Sequence, residues 1–81
     1  MSSQTVSLSR LSDIHTPAPV RIVDIQADIP LSMRLRSLGF VPGTEVRRLA
    51  AIGGRGPITF LLRDTKIAIR HMDAQSILVS A

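Results

Sequence analysis

Met33-Arg34-Leu35-Arg36-Ser37-Leu38-Gly39-Phe40-Val41-Pro42-Gly43-Thr44 reads as the end of a helix, a glycine stop, a tight turn and the entry to a strand. Leu31, Leu35 and Leu38 stand at i, i+4 and i+7, the apolar stripe of a helix. Gly39 falls where a left-handed residue ends a helix, because glycine takes positive φ without a Cβ penalty. With Gly39 in that place, Phe40 and Leu35 are the apolar pair that accompanies a Schellman stop. Val41-Pro42-Gly43-Thr44 then fits a type II turn, proline setting φ at the second position and glycine supplying positive φ at the third. Two reversals in a dozen residues fix how the helix meets the next strand.

Upstream, Asp28 is the expected N-cap, with Pro30 tolerated in the first turn, giving a helix over about 30–38. Val20 to Gln26 reads as the first strand. Its apolar residues Val20, Ile22, Val23 and Ile25 break strict alternation, as a bulge or a strand covered on both faces would. Leu8, Leu11 and Ile14 recur every three residues and suit a short helical or 3₁₀ turn. Thr16-Pro17-Ala18-Pro19 ends it in an extended path. Residues 1–7 are polar and expected to fray.

Downstream, Glu45 to Ile52 is a second strand and Gly53-Gly54-Arg55-Gly56-Pro57 a flexible reversal. Ile58 to Arg63 alternates, with Ile58, Phe60 and Leu62 on one face. Asp64-Thr65 is the expected turn into Lys66 to Arg70, where Ile67 and Ile69 point inward. Met72 to Ser76 allows one helical turn, and Ile77-Leu78-Val79 closes as a strand. Five short strands at hairpin spacing predict a mainly β, single-domain protein over residues 1–81, a small barrel whose closure removes exposed edges. The helix inserted after the first strand can cap one open end.

The chain has 81 residues, a net charge of +4 and no cysteine. The last point removes disulfides, thiolate metal sites and cysteine nucleophiles. The amino terminus lacks the pattern of a signal peptide, and no apolar run reaches membrane-spanning length, so a soluble cytosolic protein is expected. Nine of the ten basic residues are arginine, scattered along the chain, and a basic balance points to an acidic partner. A nucleic-acid-binding barrel is one reading of that balance. Phe40 and Phe60 are the only aromatics, however, which leaves few platforms for stacking bases.

The glycine loop lacks the lysine, the Ser/Thr and the following helix of a phosphate loop. Asp13 with His15, and His71 with Asp73, hold ligand types suited to a divalent cation, and two such pairs could make a four-ligand shell. Their spacing matches no established chelate, so they stand as metal candidates for an adventitious ion or, as an alternative function, for a divalent-metal-binding or sensing module, and no cofactor is required. The serines sit where caps, turns and solvent faces explain them, and no triad is indicated. Arg36 should face solvent, whereas Arg34 flanks the stripe. Each alone reads as a solvated charge; together with Arg47, Arg48 and Arg70 they could instead form one basic surface for a partner.

The pieces Arg34-Leu35, Leu38-Gly39-Phe40, Pro42-Gly43-Thr44, Gly56-Pro57-Ile58, Ile67-Ala68-Ile69-Arg70, Asp73-Ala74, Ile77 and Val79 occur in an order that resembles the FeoA family of bacterial ferrous-iron uptake. The resemblance spans about residue 20 to the carboxyl end, and it extends to the carboxyl-terminal module of iron-dependent repressors. Here the amino-terminal piece is longer than the minimal pattern, and Met33 replaces a position often polar or basic. The resemblance implies an SH3-like barrel with an inserted helix and a non-enzymatic adaptor or regulator. It implies as partner the membrane ferrous-iron permease, which carries a cytosolic GTP-binding domain. No nucleic-acid partner is expected, and a homodimer is compatible with an exposed edge strand. Exposure logic places partner binding on Arg34, Arg36, Phe40 and Val41, with Gly53, Gly54 and Arg55 as a second surface.

Overall fold

The computed structural model describes residues 7–51 and 56–80. Its elements are β1 (Leu8–Arg10), a 3₁₀ turn (Leu11–Asp13), β2 (Val20–Ile25), α1 (Ile29–Leu38), β3 (Glu45–Ala51), β4 (Ile58–Leu62), β5 (Thr65–Ile69), α2 (His71–Ala74) and β6 (Ile77–Ser80). The strands form one antiparallel sheet in the order β1-β6-β2-β3-β4-β5. β3 is where it turns. Val46 and Glu45 pair with Val20 and Arg21 of β2, whereas Arg47 to Ala51 pair with β4. The fold is mainly β, SH3-like and barrel-like, as expected. Among the described residues the sheet does not close: β1 and β5 remain its edges. Closure depends on whether the two end strands meet in register, and strand patterning carries no information on that.

The enclosed face holds a continuous core that includes Val20, Ile22, Val46, Phe60, Ile77 and Val79. In β4 the predicted alternation holds, with Ile58, Phe60 and Leu62 all buried. In β5 Ile69 is buried and Ile67 half-buried. β2 resolves the broken alternation as a bulge. Its register shifts between Ile22 and Asp24, so Val23 and Asp24 both face outward and Ile25 returns to the core.

Three local expectations need correction. The hairpin turn between β4 and β5 is Arg63-Asp64 rather than Asp64-Thr65, since Leu62 pairs with Thr65. Arg63 and Asp64 both have positive φ, 47° and 65°. That geometry matches the right-handed twist of the flanking strands, and it moves β5 one residue toward the amino terminus. Leu8 belongs to a sixth strand and is 46% exposed, not packed as part of a helical turn. β1 has no alternation to detect. It exists because β6 offers an edge, and Arg10 Nη1 donates to the Gln75 carbonyl at 2.7 Å. Finally, the helix stripe is narrower than its spacing suggests. Leu35 is fully buried and Leu31 half-buried, but Leu38 is 41% exposed.

The helix boundaries follow the expected chemistry. The Asp28 carboxylate accepts from the Leu31 N–H at 2.9 Å, and Pro30 occupies the first turn. At the other end the Gly39 N–H donates to the Arg36 carbonyl and the Phe40 N–H to the Leu35 carbonyl, both at 3.0 Å. These are the two bonds of a Schellman motif. The following turn closes with Thr44 N–H donating to the Val41 carbonyl at 3.1 Å, Gly43 having φ 91°. Gly43 N–H donates to the Ile22 carbonyl at 2.8 Å and Ile22 N–H to the Thr44 carbonyl at 2.9 Å, so the turn is tied to β2. Arg21 Nη1 reinforces it by donating to the Gly43 carbonyl at 2.6 Å.

Gly39 has φ 112°, and a Cβ there would meet only Leu62 Cδ2 at 3.8 Å, an ordinary contact. The cost of Gly39→Ala is therefore backbone strain. It should lower stability by about 1–3 kcal/mol, read as a shifted midpoint in denaturant with an unchanged slope.

Candidate functional site

The residues expected to bind a partner separate in the structure. Phe40 is fully buried, its ring edge-on to Phe60 with centroids 6.2 Å apart, so it presents no side chain to a partner. It stands at the helix stop, where the Schellman geometry directs the chain inward. Val41 is half-buried in the turn. Gly53, Gly54 and Arg55 lie outside the described residues. Arg34 and Arg36 are exposed, as expected, but they are not equivalent.

Arg34 reaches across to α2, where Nη2 meets Asp73 Oδ2 at 3.0 Å. Arg36 makes one long contact, Nε to Ser32 Oγ at 3.4 Å. The expected basic surface divides in the same way. Arg48 Nη1 donates to the Ile14 carbonyl at 2.6 Å and lies 3.4 Å from His15 Nδ1, holding the segment that follows the 3₁₀ turn. Arg10 and Arg21 also cap main-chain carbonyls. Arginine suits this work because its planar fork reaches a carbonyl while its stem covers apolar surface. Arg36, Arg47 and Arg70 are exposed and make no ion pair among the described residues.

The Arg34–Asp73 pair joins the two helices at low energy. The Arg34 side chain is 58% exposed and that of Asp73 14%, so solvent screens the attraction. We expect Arg34→Gln to change stability by less than about 1 kcal/mol, and that small effect to fade at high salt. A double-mutant cycle with Asp73→Asn measures it.

The metal candidates are not brought together. Asp73 is engaged by Arg34, His15 lies beside Arg48, and Asp13 is exposed. No group of three or more His, Cys, Asp or Glu side chains converges among the described residues. His71 instead borders a shallow cleft of about 300 Å³ with Pro57, Arg70, Met72 and Gln75. No helix among the described residues is long and apolar enough to cross a membrane.

The structure also exposes apolar side chains outside the leucine stripe. Ile29 is 75% exposed and Met33 65%. They stand one turn apart on α1, off the side that carries Leu31 and Leu35. Their i, i+4 spacing is the signal in the sequence, masked there by the stronger leucine stripe.

The fold is shared with solved proteins. A zinc-complexed FeoA from Stenotrophomonas maltophilia, described as a prokaryotic SH3 domain protein and suggested to act as a bacterial ferrous iron transport activating factor, is 32% identical. It superposes with a TM-score of 0.73 over 85% of this chain and 86% of its own. A FeoA-like protein from Clostridium acetobutylicum has 24% identity and a TM-score of 0.81, covering 94% of this chain and 87% of that one. A manganese-dependent transcriptional repressor superposes at 0.85 with 20% identity over 96% of this chain but 44% of its own, a likeness of fold. No match is found among curated proteins. The FeoA domain model matches residues 9–81, and with that match nearly the length of the chain, the protein belongs to the FeoA family, which is associated with ferrous-iron transport.

Proposed function

We propose that this protein is a non-enzymatic adaptor or regulator of bacterial ferrous-iron uptake, acting in the cytoplasm on the cytosolic part of a membrane ferrous-iron permease that carries a GTP-binding domain. The FeoA match over residues 9–81 carries this reading. The Stenotrophomonas maltophilia relative, suggested as a transport activating factor, supports it. The exposed side of one helix, which bears Ile29 and Met33, supports a binding role. No cofactor is needed for such a role.

The test is ferrous-iron uptake in cells that retain the permease but lack their own small accessory protein. Supplying this chain should restore uptake, and purified chain should bind the full-length permease in detergent. Uptake and binding both unchanged from the empty control would remove the adaptor reading.

A further inference from the structure

We infer that the outward side of α1, formed by Ile29, Met33 and Arg36, is the surface that docks on the partner, and that the partner presents an apolar groove with a carboxylate at one end. The inference rests on the adaptor reading and specifies its contact surface. Ile29, Met33 and Arg36 stand at i, i+4 and i+7, the spacing with which a helix lays one side into a groove. With about 100° of rotation per residue they cluster on one side, each about 100° or more around the helix from the buried Leu35.

Folding gives Ile29 and Met33 no reason to be apolar. Their exposures of 75% and 65% leave little burial to stabilise the domain. Isoleucine is also a mediocre helix former, so a longer polar residue at position 29 would serve the isolated helix better. Single exposed apolar residues are ordinary, but two adjacent ones on one helix side form a patch.

Charge selects the occupant. α1, with the sequence Ile-Pro-Leu-Ser-Met-Arg-Leu-Arg-Ser-Leu, contains no acidic residue. Arg34 is engaged by Asp73, and among the described residues Arg36 has only the 3.4 Å contact with Ser32. The Arg36 guanidinium thus keeps most of its donors for a carboxylate, which it binds in a planar fork. A second copy of this helix side would bring to it only the Asp28 carboxylate at the helix start, which already accepts from the Leu31 N–H at 2.9 Å.

The experiment titrates full-length permease in detergent with the whole chain and three variants. Ile29→Ser combined with Met33→Ser should weaken binding by about tenfold or more, and Arg36→Glu by a comparable factor, because truncated anchors and reversed charge dominate small interfaces. Arg47→Glu, on the sheet, should bind as the unaltered chain does. Circular dichroism and thermal midpoints should match across the set, since all four side chains are exposed. Binding by the unaltered chain with equal affinity for the helix variants would overturn the inference and leave the adaptor reading standing. Absence of binding by the unaltered chain would overturn both. Two further results would also overturn it. One is binding to permease-free anionic vesicles that the double variant loses, which assigns the helix side to lipid. The other is self-association that the double variant loses, which assigns it to a second copy.

Discussion

Phe40→Ala is expected to lower stability by about 3–5 kcal/mol, a large fraction of the ~5–15 kcal/mol that holds a small domain folded. Phe40 is fully buried and meets Phe60 edge-on. Truncation removes the transfer free energy of the ring, leaves a cavity in the core, and deletes the aromatic pair. The site is also where the helix ends: the Phe40 N–H bonds the Leu35 carbonyl. The main-chain bond survives substitution, so the helix boundary should persist while the core loosens. Thermal unfolding should show a midpoint lowered by more than about 10 °C. Phe40→Leu, which keeps most of the volume, should recover much of that stability. If Phe40→Ala left the midpoint unchanged but weakened partner binding, Phe40 would be a surface residue and its core placement would be wrong.

The second large effect separates two leucines that the sequence treats alike. Leu35 is fully buried and Leu38 is 41% exposed. Leu35→Ala is expected to cost about 2–5 kcal/mol, the range for a leucine removed from a packed site. Leu38→Ala should cost well under about 1 kcal/mol, because leucine buries little apolar surface there and alanine's higher helix propensity offsets part of that burial. Denaturant titrations of the two variants side by side give the contrast directly. Equal destabilisation would mean that α1 sits on the core through a broader side than the structure shows.

How legible these features were depends on how local their causes are. Asp28, Gly39 and Pro42-Gly43 act through bonds that span a few residues, so their roles could be read from type and spacing. The alternation of Ile58, Phe60 and Leu62 was legible because a strand with one enclosed face repeats every second residue. β1 was not, since three exposed residues carry no period and become a strand only by pairing with β6. The turn at Arg63-Asp64 was misplaced by one residue because neither side chain announces positive φ as glycine does. The surroundings of the arginines were the least legible. Arginines look alike in a sequence, and only contacts between distant segments show that Arg34 belongs to Asp73 and Arg48 to the Ile14 carbonyl, while Arg36 stays available.

The stretch from Met33 to Thr44 therefore determined, by itself, a helix stop and a turn, and only together with the later pieces up to Val79 did it carry the family resemblance. Backbone geometry at glycine and proline is a property of the residue and its neighbours, so it needs no partner from elsewhere in the chain. The tertiary structure alone decided that the sheet stays open among the described residues, that Phe40 lies in the core, and that the helix side carrying Ile29, Met33 and Arg36 is left uncovered. Burial and pairing are set by which distant surfaces meet, and a helix stripe of given spacing can be covered over any part of its width.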